Sequence, residues 1–121
     1  MGLPVVVVVA ALALPGGARA LDMDGTYLLS ADGDCAAVGQ DGGALRIADG
    51  VFTGVESRCE MTRPVKVRDM DAQLFDMVCT GESGTWEERA MVMRGADGGL
   101  ILVWDGFAFA YERCPDEGVT P

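Results

Sequence analysis

The residues best suited to catalysis in this sequence are three glutamates close to Trp86: Glu82, Glu87 and Glu88. Two carboxylates can act as general acid and base on a glycosidic bond when they face each other. Neighbouring residues of a β-strand point to opposite faces, so Glu87 and Glu88 cannot converge on one substrate. The sequence also has no histidine to serve as the base of a serine or cysteine nucleophile. We therefore expect no catalytic residues and a non-enzymatic protein.

The four cysteines, Cys35, Cys59, Cys79 and Cys114, are the next candidates for chemistry. None of them forms a Cys-x-x-Cys pair and there is no histidine, so the usual spacing of zinc and thiol-redox sites is missing. Two structural disulfides are the better interpretation, and four cysteines permit three ways of pairing. Disulfides persist in oxidising compartments, which predicts that the protein is exported.

Two glycine-rich segments are candidates for binding a metal ion or a phosphate. Residues 32–43 read DGDCAAVGQDGG, but Ala36 and Gly43 stand where a calcium-binding EF-hand loop needs oxygen ligands. Residues 95–100 read GADGGL and lack the helix and lysine that phosphate binding requires. We expect neither a metal nor a cofactor.

Residues 1–20 have the layout of a secretory signal peptide. An apolar run from Leu3 to Leu14 is followed by a Pro-Gly-Gly break and an Ala-x-Ala cleavage site at residues 18–20. The run is shorter than the roughly 20 apolar residues that cross a bilayer, so we expect no stable membrane span. The prediction is export to the periplasm or the medium, with one mature domain over residues 21–121. An uncleaved anchor and a buried helix are the alternatives.

The composition is strongly acidic. Nine basic residues stand against 19 acidic ones, a net charge of −10, and cleavage of the signal peptide would also remove Arg19. This charge disfavours binding to nucleic acid, which requires a basic patch to neutralise phosphates. It favours fast encounter with a cationic protein partner, although solubility explains it equally well.

Repeated turns predict an all-β fold. Asp-Gly, a dipeptide favoured in two-residue hairpin loops, occurs six times. Between the turns, apolar residues recur with a period of two, as in half-buried strands. Short strands joined by tight turns predict a small antiparallel up-and-down barrel, since closure removes exposed edges. The expected strands cover approximately residues 25–30, 43–48, 51–60, 64–68, 72–80, 85–94, 99–104 and 107–113.

The segment between Cys59 and Cys79 predicts a strand register. Folding it about Asp69 makes a hairpin in which Cys59 lies opposite Cys79 on the core side, which favours a disulfide between them. Such a bridge closes a loop of about 20 residues and stabilises by roughly 3 kcal/mol through chain entropy. Cys35 and Cys114 would then form the second bridge. The other core-facing pairs expected are Met61 with Met77 and Val65 with Gln73.

Two-residue loops at Asp97-Gly98 and Asp105-Gly106 would align three strands near the C-terminus. The opposite face of these strands is less bulky than the core face but still apolar, whereas a fully solvated face would be polar. It is either ordinary barrel exterior or a partner-binding face. The predicted core face contains Met91, Met93, Leu102, Trp104, Phe107 and Phe109. The candidate partner face contains Val92, Ile101, Val103, Ala108 and Ala110.

Two segments, GTYLLSADGDC at residues 25–35 and DGGLILVWDGFAFAYER at residues 97–113, carry a family resemblance. They are similar to the first strand and to the late strands of bacterial periplasmic inhibitors of secreted zinc metalloproteases. The resemblance implies an eight-stranded lipocalin-like barrel and a single disulfide corresponding to Cys35 with Cys59. It also implies an N-terminal arm that enters the protease cleft. The residues of that inhibitory arm here would be Leu21, Asp22, Met23 and Asp24.

The leading functional hypothesis is an exported binding module, such as an inhibitor of a secreted or host protease or lysozyme. The missing catalytic groups, the predicted disulfides and the acidic charge motivate it. One alternative is a carrier of a small apolar ligand, and another is a structural protein of the cell envelope. The carrier's cavity would be lined by Met61, Met77, Met91, Met93, Phe75 and Phe109.

Overall fold

Eight antiparallel strands form a closed barrel in the computed structural model, which describes residues 2–5 and 22–115. Each strand pairs with its neighbours along the chain, and β1 closes on β8. This architecture confirms the predicted all-β up-and-down barrel. The strands are β1 (Gly25–Leu28), β2 (Ala44–Ala48), β3 (Val51–Gly54), β4 (Ser57–Lys66), β5 (Ala72–Gly81), β6 (Gly84–Arg94), β7 (Leu100–Trp104) and β8 (Phe107–Arg113).

The predicted signal peptide, residues 1–20, lies outside the described residues apart from residues 2–5, which belong to no helix or strand. Across the two described ranges, no helix is long and apolar enough to cross a bilayer.

Two Asp-Gly dipeptides form the tight hairpin loops that the sequence predicts. Asp49-Gly50 joins β2 to β3, and its two residues have φ angles of 52° and 76°. Positive φ at both positions is what a type I′ turn requires, and glycine or aspartate tolerates it best. Asp105-Gly106 joins β7 directly to β8, but only Gly106 has a positive φ there, of 105°.

The predicted strand at residues 51–60 is in fact two strands. A loop at residues 55–56 ends β3 and starts β4. Glu56 has a φ of 49°, and its N–H donates a hydrogen bond to the carbonyl oxygen of Gly39 at 2.9 Å. The alternation over residues 51–61 predicts that the odd-numbered residues face the core. Because the chain reverses at residues 55–56, the even-numbered Phe52 is the residue of β3 that is buried in the core.

The register of β4 and β5 follows the prediction only as far as a β-bulge. The bulge lies next to Arg63, whose φ is 51°, and adds one residue to β4. Val65 therefore pairs with Leu74 instead of Gln73, and it points outward with 56% of its surface exposed. The confirmed pairs are Cys59 with Cys79 and Met61 with Met77.

Strands β6 and β7 are offset by one residue from the prediction. Residues 95–99 form the connecting turn, which is closed by a backbone hydrogen bond of 2.9 Å between its first and last residues. The sequence predicted a shorter loop, Asp97-Gly98. A one-residue offset exchanges the two faces of a strand, so Val92 is fully buried while Met91 and Met93 point outward.

Both disulfides favoured by the strand register are present, Cys59–Cys79 and Cys35–Cys114. The Cys35–Cys59 pairing implied by the resemblance is wrong. The first bridge joins neighbouring strands, and the second ties the loop after β1 to the chain just past β8. Two disulfides indicate that the chain belongs to an oxidising compartment.

The residues predicted to line a ligand cavity do not share one surface, because the offset of β6 turns two of them outward. Met77 and Phe75 are buried in the core, but Met91 and Met93 lie on the outside. Phe109 is 46% exposed. The largest fully buried side chains are Leu45, Met77, Leu100, Leu102, Val92 and Cys79.

Candidate partner-binding face

The outer surface of strands β4 to β8 carries apolar side chains that cross five neighbouring strands. In the main row, each residue lies directly opposite the next one in the neighbouring strand. A shorter row lies beside it, nearer the turn that joins β6 to β7. We call both rows together the outer apolar face. It consists of Val65, Leu74, Met91, Val103 and Ala108 in the main row and Met93, Ile101 and Ala110 in the shorter row.

The strands behind this face are apolar on both sides. Alternate residues of a strand point to opposite faces, so Val92 and Leu102 fill the core while Met91 and Val103 point outward. An antiparallel sheet with one solvated side normally alternates apolar and polar residues. The continuous apolar runs at residues 90–93 of β6 and 100–104 of β7 therefore indicate that the outer side is not adapted to water alone there.

Four of the five residues predicted for the partner face point outward, and one does not. Val92 is fully buried because the turn at residues 95–99 shifts β6 by one position. The same shift brings Met91 and Met93 to the outside, and the bulge in β4 brings Val65 there. Only the geometry of the turn and the bulge reveals these three residues. The predicted residues that do lie on the outer apolar face are Ile101, Val103, Ala108 and Ala110.

A row of polar groups borders the outer apolar face. Arg89 donates to Asp76 Oδ1 from its Nε at 3.3 Å and its Nη2 at 3.2 Å. Arg63 Nη1 lies 3.7 Å from Asp76 Oδ2. Both arginine side chains are largely exposed, so these ion pairs contribute little to stability. These charged side chains form one boundary of the outer apolar face.

Strand β8 has an open edge over residues 107–111, which we call the β8 edge. The ladder between β1 and β8 consists of two pairs, Tyr27 with Arg113 and Leu28 with Glu112. Beyond Leu28 the chain leaves β8, and the N–H of Leu29 donates to the carbonyl oxygen of Gly43 at 3.3 Å. Within residues 22–115, the rest of β8 therefore has β7 on one side and no paired strand on the other.

Aromatic rings line the inner side of the β8 edge. The ring centroids of Phe107 and Phe109 are 5.6 Å apart, and those of Phe109 and Tyr111 are 5.9 Å apart. Phe109 and Tyr111 lie opposite the buried Leu102 and Leu100, and Phe107 lies opposite the half-buried Trp104. Phe107 itself is 54% exposed. The exposure follows from the short β1, which does not cover this part of the barrel wall. Burial raises the pKa of the Tyr111 hydroxyl.

The segment predicted to be an inhibitory arm packs against the barrel where it is described. Leu21 lies outside the described residues. Met23 is buried in the core, and its carbonyl oxygen accepts a hydrogen bond from the Tyr27 hydroxyl at 2.6 Å. Burial raises the pKa of Tyr27, while the positive charges of Arg113 and Arg94 act in the opposite direction.

The two aspartates of this segment are held by arginines of the barrel. Arg94 Nη2 donates to the carbonyl oxygen of Asp22 at 2.8 Å, and Arg113 Nη2 donates to that of Asp24 at 3.3 Å. Residues 22–24 therefore lie against the end of the barrel instead of extending from it. An inhibitory role of Leu21, Asp22, Met23 and Asp24, as the resemblance implies, stays a prediction.

A tryptophan and a glutamate lie together at the opposite end of the barrel. The indole Nε1–H of Trp86 donates to Glu88 Oε2 at 3.0 Å, and both residues are half-buried. Glu87 is exposed, so the two adjacent glutamates diverge as the strand geometry predicts. Sequence reasoning missed the Trp86–Glu88 contact, although their spacing of two on a strand was a signal for it. Glu88 therefore accepts the hydrogen bond of the Trp86 indole.

A groove of about 930 Å³ lies beside the Cys35–Cys114 disulfide. Its charged lining residues are three aspartates and one arginine: Asp24, Asp34, Asp49 and Arg46. Among residues 2–5 and 22–115, no three cysteine or carboxylate side chains are grouped closely enough to hold a metal ion.

No protein-family model, curated protein or solved structure significantly matches the chain. The assignment of a partner-binding face depends on the arrangement of the outer apolar face itself.

Proposed function

We propose that this protein is an exported, non-enzymatic binding module that inhibits a cationic secreted hydrolase, such as a lysozyme or a protease. The observation that carries the proposal is the outer apolar face, a connected apolar surface across five strands. Monomeric soluble proteins rarely leave contiguous apolar patches uncovered unless the patch is functional.

The centre of the face has the features of a protein-binding surface. Leu74 and Met91 lie opposite each other, with Val103 beside them, and all three are half-buried. Methionine is enriched at protein interfaces because its flexible side chain adapts to different surfaces. The ion pairs of Asp76 next to this centre supply a polar rim of the kind that surrounds an interface core.

The charge of the chain favours a cationic partner. A net charge of −10 attracts positively charged proteins over long distances and accelerates association at low salt. Affinity would then come from the apolar contacts, and the rate of encounter from the charge. The inhibitor resemblance supports a secreted hydrolase as the partner. Because residues 22–24 pack against the barrel, the outer apolar face is the proposed contact surface.

The proposed location is the periplasm or the medium, reached through the signal peptide at residues 1–20. The two disulfides support an oxidising destination. Cleavage after Ala20 would leave residues 21–121 as the mature domain. Mass spectrometry of the protein recovered from the cell envelope and from the medium tests both the cleavage and the location.

The inhibitor proposal is tested by titrating the mature protein into a panel of cationic lysozymes and secreted proteases. We expect at least one enzyme to lose activity at micromolar protein. Leu74→Lys places a charge at the centre of the outer apolar face, and we expect it to weaken inhibition roughly tenfold or more. Full activity of every enzyme at this concentration contradicts the proposal.

Val78→Lys is the matched control. Val78 lies on the same strand as Leu74, also points outward and is also half-buried, but it is beyond the polar row of Asp76. The two variants change the net charge equally. Equal loss of inhibition in both would mean that charge, and not the apolar contact, determines binding.

A further inference from the structure

Within residues 22–115, the backbone of the β8 edge has hydrogen-bonding groups without a partner at alternate residues. In an antiparallel pair, successive residues direct their N–H and C=O groups to opposite sides. Trp104 and Phe107 flank the two-residue loop and form its closing hydrogen-bonded pair, so the odd-numbered residues of β8 bond to β7. Even-numbered residues point to the other side, as the hydrogen bond from Cys114 N–H to Thr26 O at 2.8 Å shows.

Ala108 and Ala110 are the even-numbered residues of the β8 edge. Each therefore presents one donor and one acceptor to the open side, and both residues are exposed. An extended strand placed beside them would form the hydrogen bonds that β1 does not reach. The small alanine side chains allow such a strand to approach closely.

The β8 edge lacks the features that normally prevent exposed strands from pairing. Natural edges carry lysine, proline, an inward charge or a bulge, or they are covered. Residues 107–111 read FAFAY, which contains no charge and no proline, and they pair with β7 without a bulge. In a chain with a net charge of −10, this uncharged segment is a place where two copies can meet without like charges facing each other.

The sequence of the edge is complementary to itself. Aromatic residues at positions 107, 109 and 111 alternate with alanines at 108 and 110, so the pattern is the same in both directions. In an antiparallel arrangement with a two-fold axis near Phe109, Ala108 of one copy faces Ala110 of the other. The residues with unpaired backbone groups then meet each other, and aromatic residues face aromatic residues.

We infer that the β8 edge pairs with the β8 edge of a second copy of this chain, forming a two-fold symmetric dimer whose sheet continues from one barrel into the other. A two-fold interface uses the same patch on both subunits, which is what a self-complementary strand provides. The exposed rings of Phe107 and Phe109 would be covered at the same time. The dimer goes beyond the proposed inhibition, because Leu74 and Met91 remain outside the pairing edge.

The dimer is tested by sedimentation equilibrium of the mature, oxidised protein over a range of micromolar concentrations. Ala108→Pro removes one edge donor from each copy and leaves the bonds to β7 intact, because proline tolerates a strand position whose N–H faces outward. Ala110→Lys adds the kind of charge that natural edges use. We expect each variant to raise the dimer dissociation constant by roughly tenfold or more.

Thr80→Lys is the matched control, because Thr80 is exposed on the outer side of β5, away from β8. It should dimerise like the unmodified protein. A monomer at every concentration, or a dimer unaffected by both Ala108→Pro and Ala110→Lys, overturns the inference.

Hydrogen exchange of the unmodified protein provides a test that does not depend on a variant folding correctly. The amide protons of Ala108 and Ala110 should be protected at concentrations where the dimer forms, and should exchange faster on dilution. The amide protons of Phe107 and Phe109, which bond to β7, should change much less. Fast exchange of Ala108 and Ala110 at all concentrations overturns the inference, since a paired edge must protect them.

Discussion

Cys59 lies directly opposite Cys79 in neighbouring strands, and a disulfide joins them with their Cα atoms 3.9 Å apart. The bridge fastens β4 to β5 at a point where Met61 also faces Met77, so the covalent link and the strand register reinforce each other. The Cys35–Cys114 bridge has a different position. It connects the loop after β1 to the chain after β8, which closes the barrel where the β1–β8 ladder has only two residue pairs.

Removing the second bridge should destabilise the protein more than removing the first. Chain entropy makes a disulfide more stabilising when it closes a longer loop. The Cys35–Cys114 bridge spans 79 residues and the Cys59–Cys79 bridge spans 20. We expect Cys35→Ser/Cys114→Ser to cost about 4 kcal/mol in free energy of unfolding and Cys59→Ser/Cys79→Ser to cost about 3 kcal/mol.

Urea denaturation of the two double variants, beside the unmodified protein, measures this difference. Each variant must be checked by mass for its one remaining disulfide. A larger loss for the Cys59–Cys79 variant would show that the contacts between β4 and β5, and not chain entropy, dominate.

The strand pattern and the cysteine spacing were sufficient to predict the barrel and both disulfides. Period-two alternation identifies strands, and the distance of Cys59 and Cys79 from their shared turn determines which residues face each other. The exact positions of loops and bulges limited the rest: Pro64 indicates a bulge or a sheet edge, but not that Val65 after it points outward. The loop at residues 55–56 contains no Asp-Gly, and the bulge at Arg63 interrupts the alternation without a glycine.

The candidate face was predicted less well than the fold. The number of residues in a turn determines which side chains of the adjoining strands face the core and which face outward. Residues 95–99 contain Asp-Gly, which predicted a two-residue loop, yet the turn includes the flanking residues as well. The Asp97 Oδ1 accepts a hydrogen bond from Gly99 N–H at 2.9 Å, which stabilises this longer turn. An error of one residue in the turn length was enough to place Val92 outside and Met91 and Met93 in the core, which is the reverse of their positions in the structure.

Replacing Glu56 with glycine should stabilise the barrel. Glu56 has a φ of 49°, a left-handed conformation that strains residues with a Cβ atom but not glycine. Its backbone N–H bond to Gly39 O is retained in the variant. We expect Glu56→Gly to raise the free energy of unfolding by about 0.5 kcal/mol after the larger unfolded-state entropy of glycine is included.

Glu60→Gly is the control for this substitution. Glu60 is also exposed but lies within β4, where glycine weakens a strand by about 0.5–1 kcal/mol. Thermal unfolding of both variants should therefore give shifts of opposite sign. Destabilisation by Glu56→Gly would mean that the glutamate side chain makes a contribution larger than the relief of backbone strain.

The two tyrosines should make stability fall at alkaline pH. Burial raises the pKa of Tyr27 and of Tyr111 in the folded protein. The unfolded chain then loses these protons first, so stability is fully present below the usual tyrosine pKa of about 10 and decreases as pH rises from there towards the folded values. Urea denaturation between neutral pH and the alkaline limit of reversibility measures the slope.

Substitution by phenylalanine separates the two contributions. Tyr27→Phe also removes the hydrogen bond to Met23 O, so it should lower stability at neutral pH by about 1–2 kcal/mol and reduce the alkaline slope. Tyr111→Phe should reduce the slope without that loss of a hydrogen bond. If the double variant keeps the full slope, tyrosine ionisation is not its source.

The contact between Trp86 and Glu88 should depend on an acceptor atom and not on negative charge. The indole Nε1–H points at Glu88 Oε2 at 3.0 Å in a half-buried position, where an unpaired donor is costly. Glu88→Gln keeps a carbonyl oxygen at that position, so we expect a change of less than about 0.5 kcal/mol. Glu88→Leu removes the acceptor, and we expect a loss of about 1–2 kcal/mol.

The indole proton reports this contact directly in an NMR spectrum. The chain has two tryptophans, so the signal of Trp104 serves as an internal reference. Glu88→Leu should move the Trp86 indole resonance upfield and accelerate its exchange with water, while Glu88→Gln should leave the exchange slow. Equal stability and equal exchange rates in the two variants would contradict this prediction. Water would then replace the carboxylate oxygen at no cost in free energy, and holding the Trp86 indole would not be the role of Glu88.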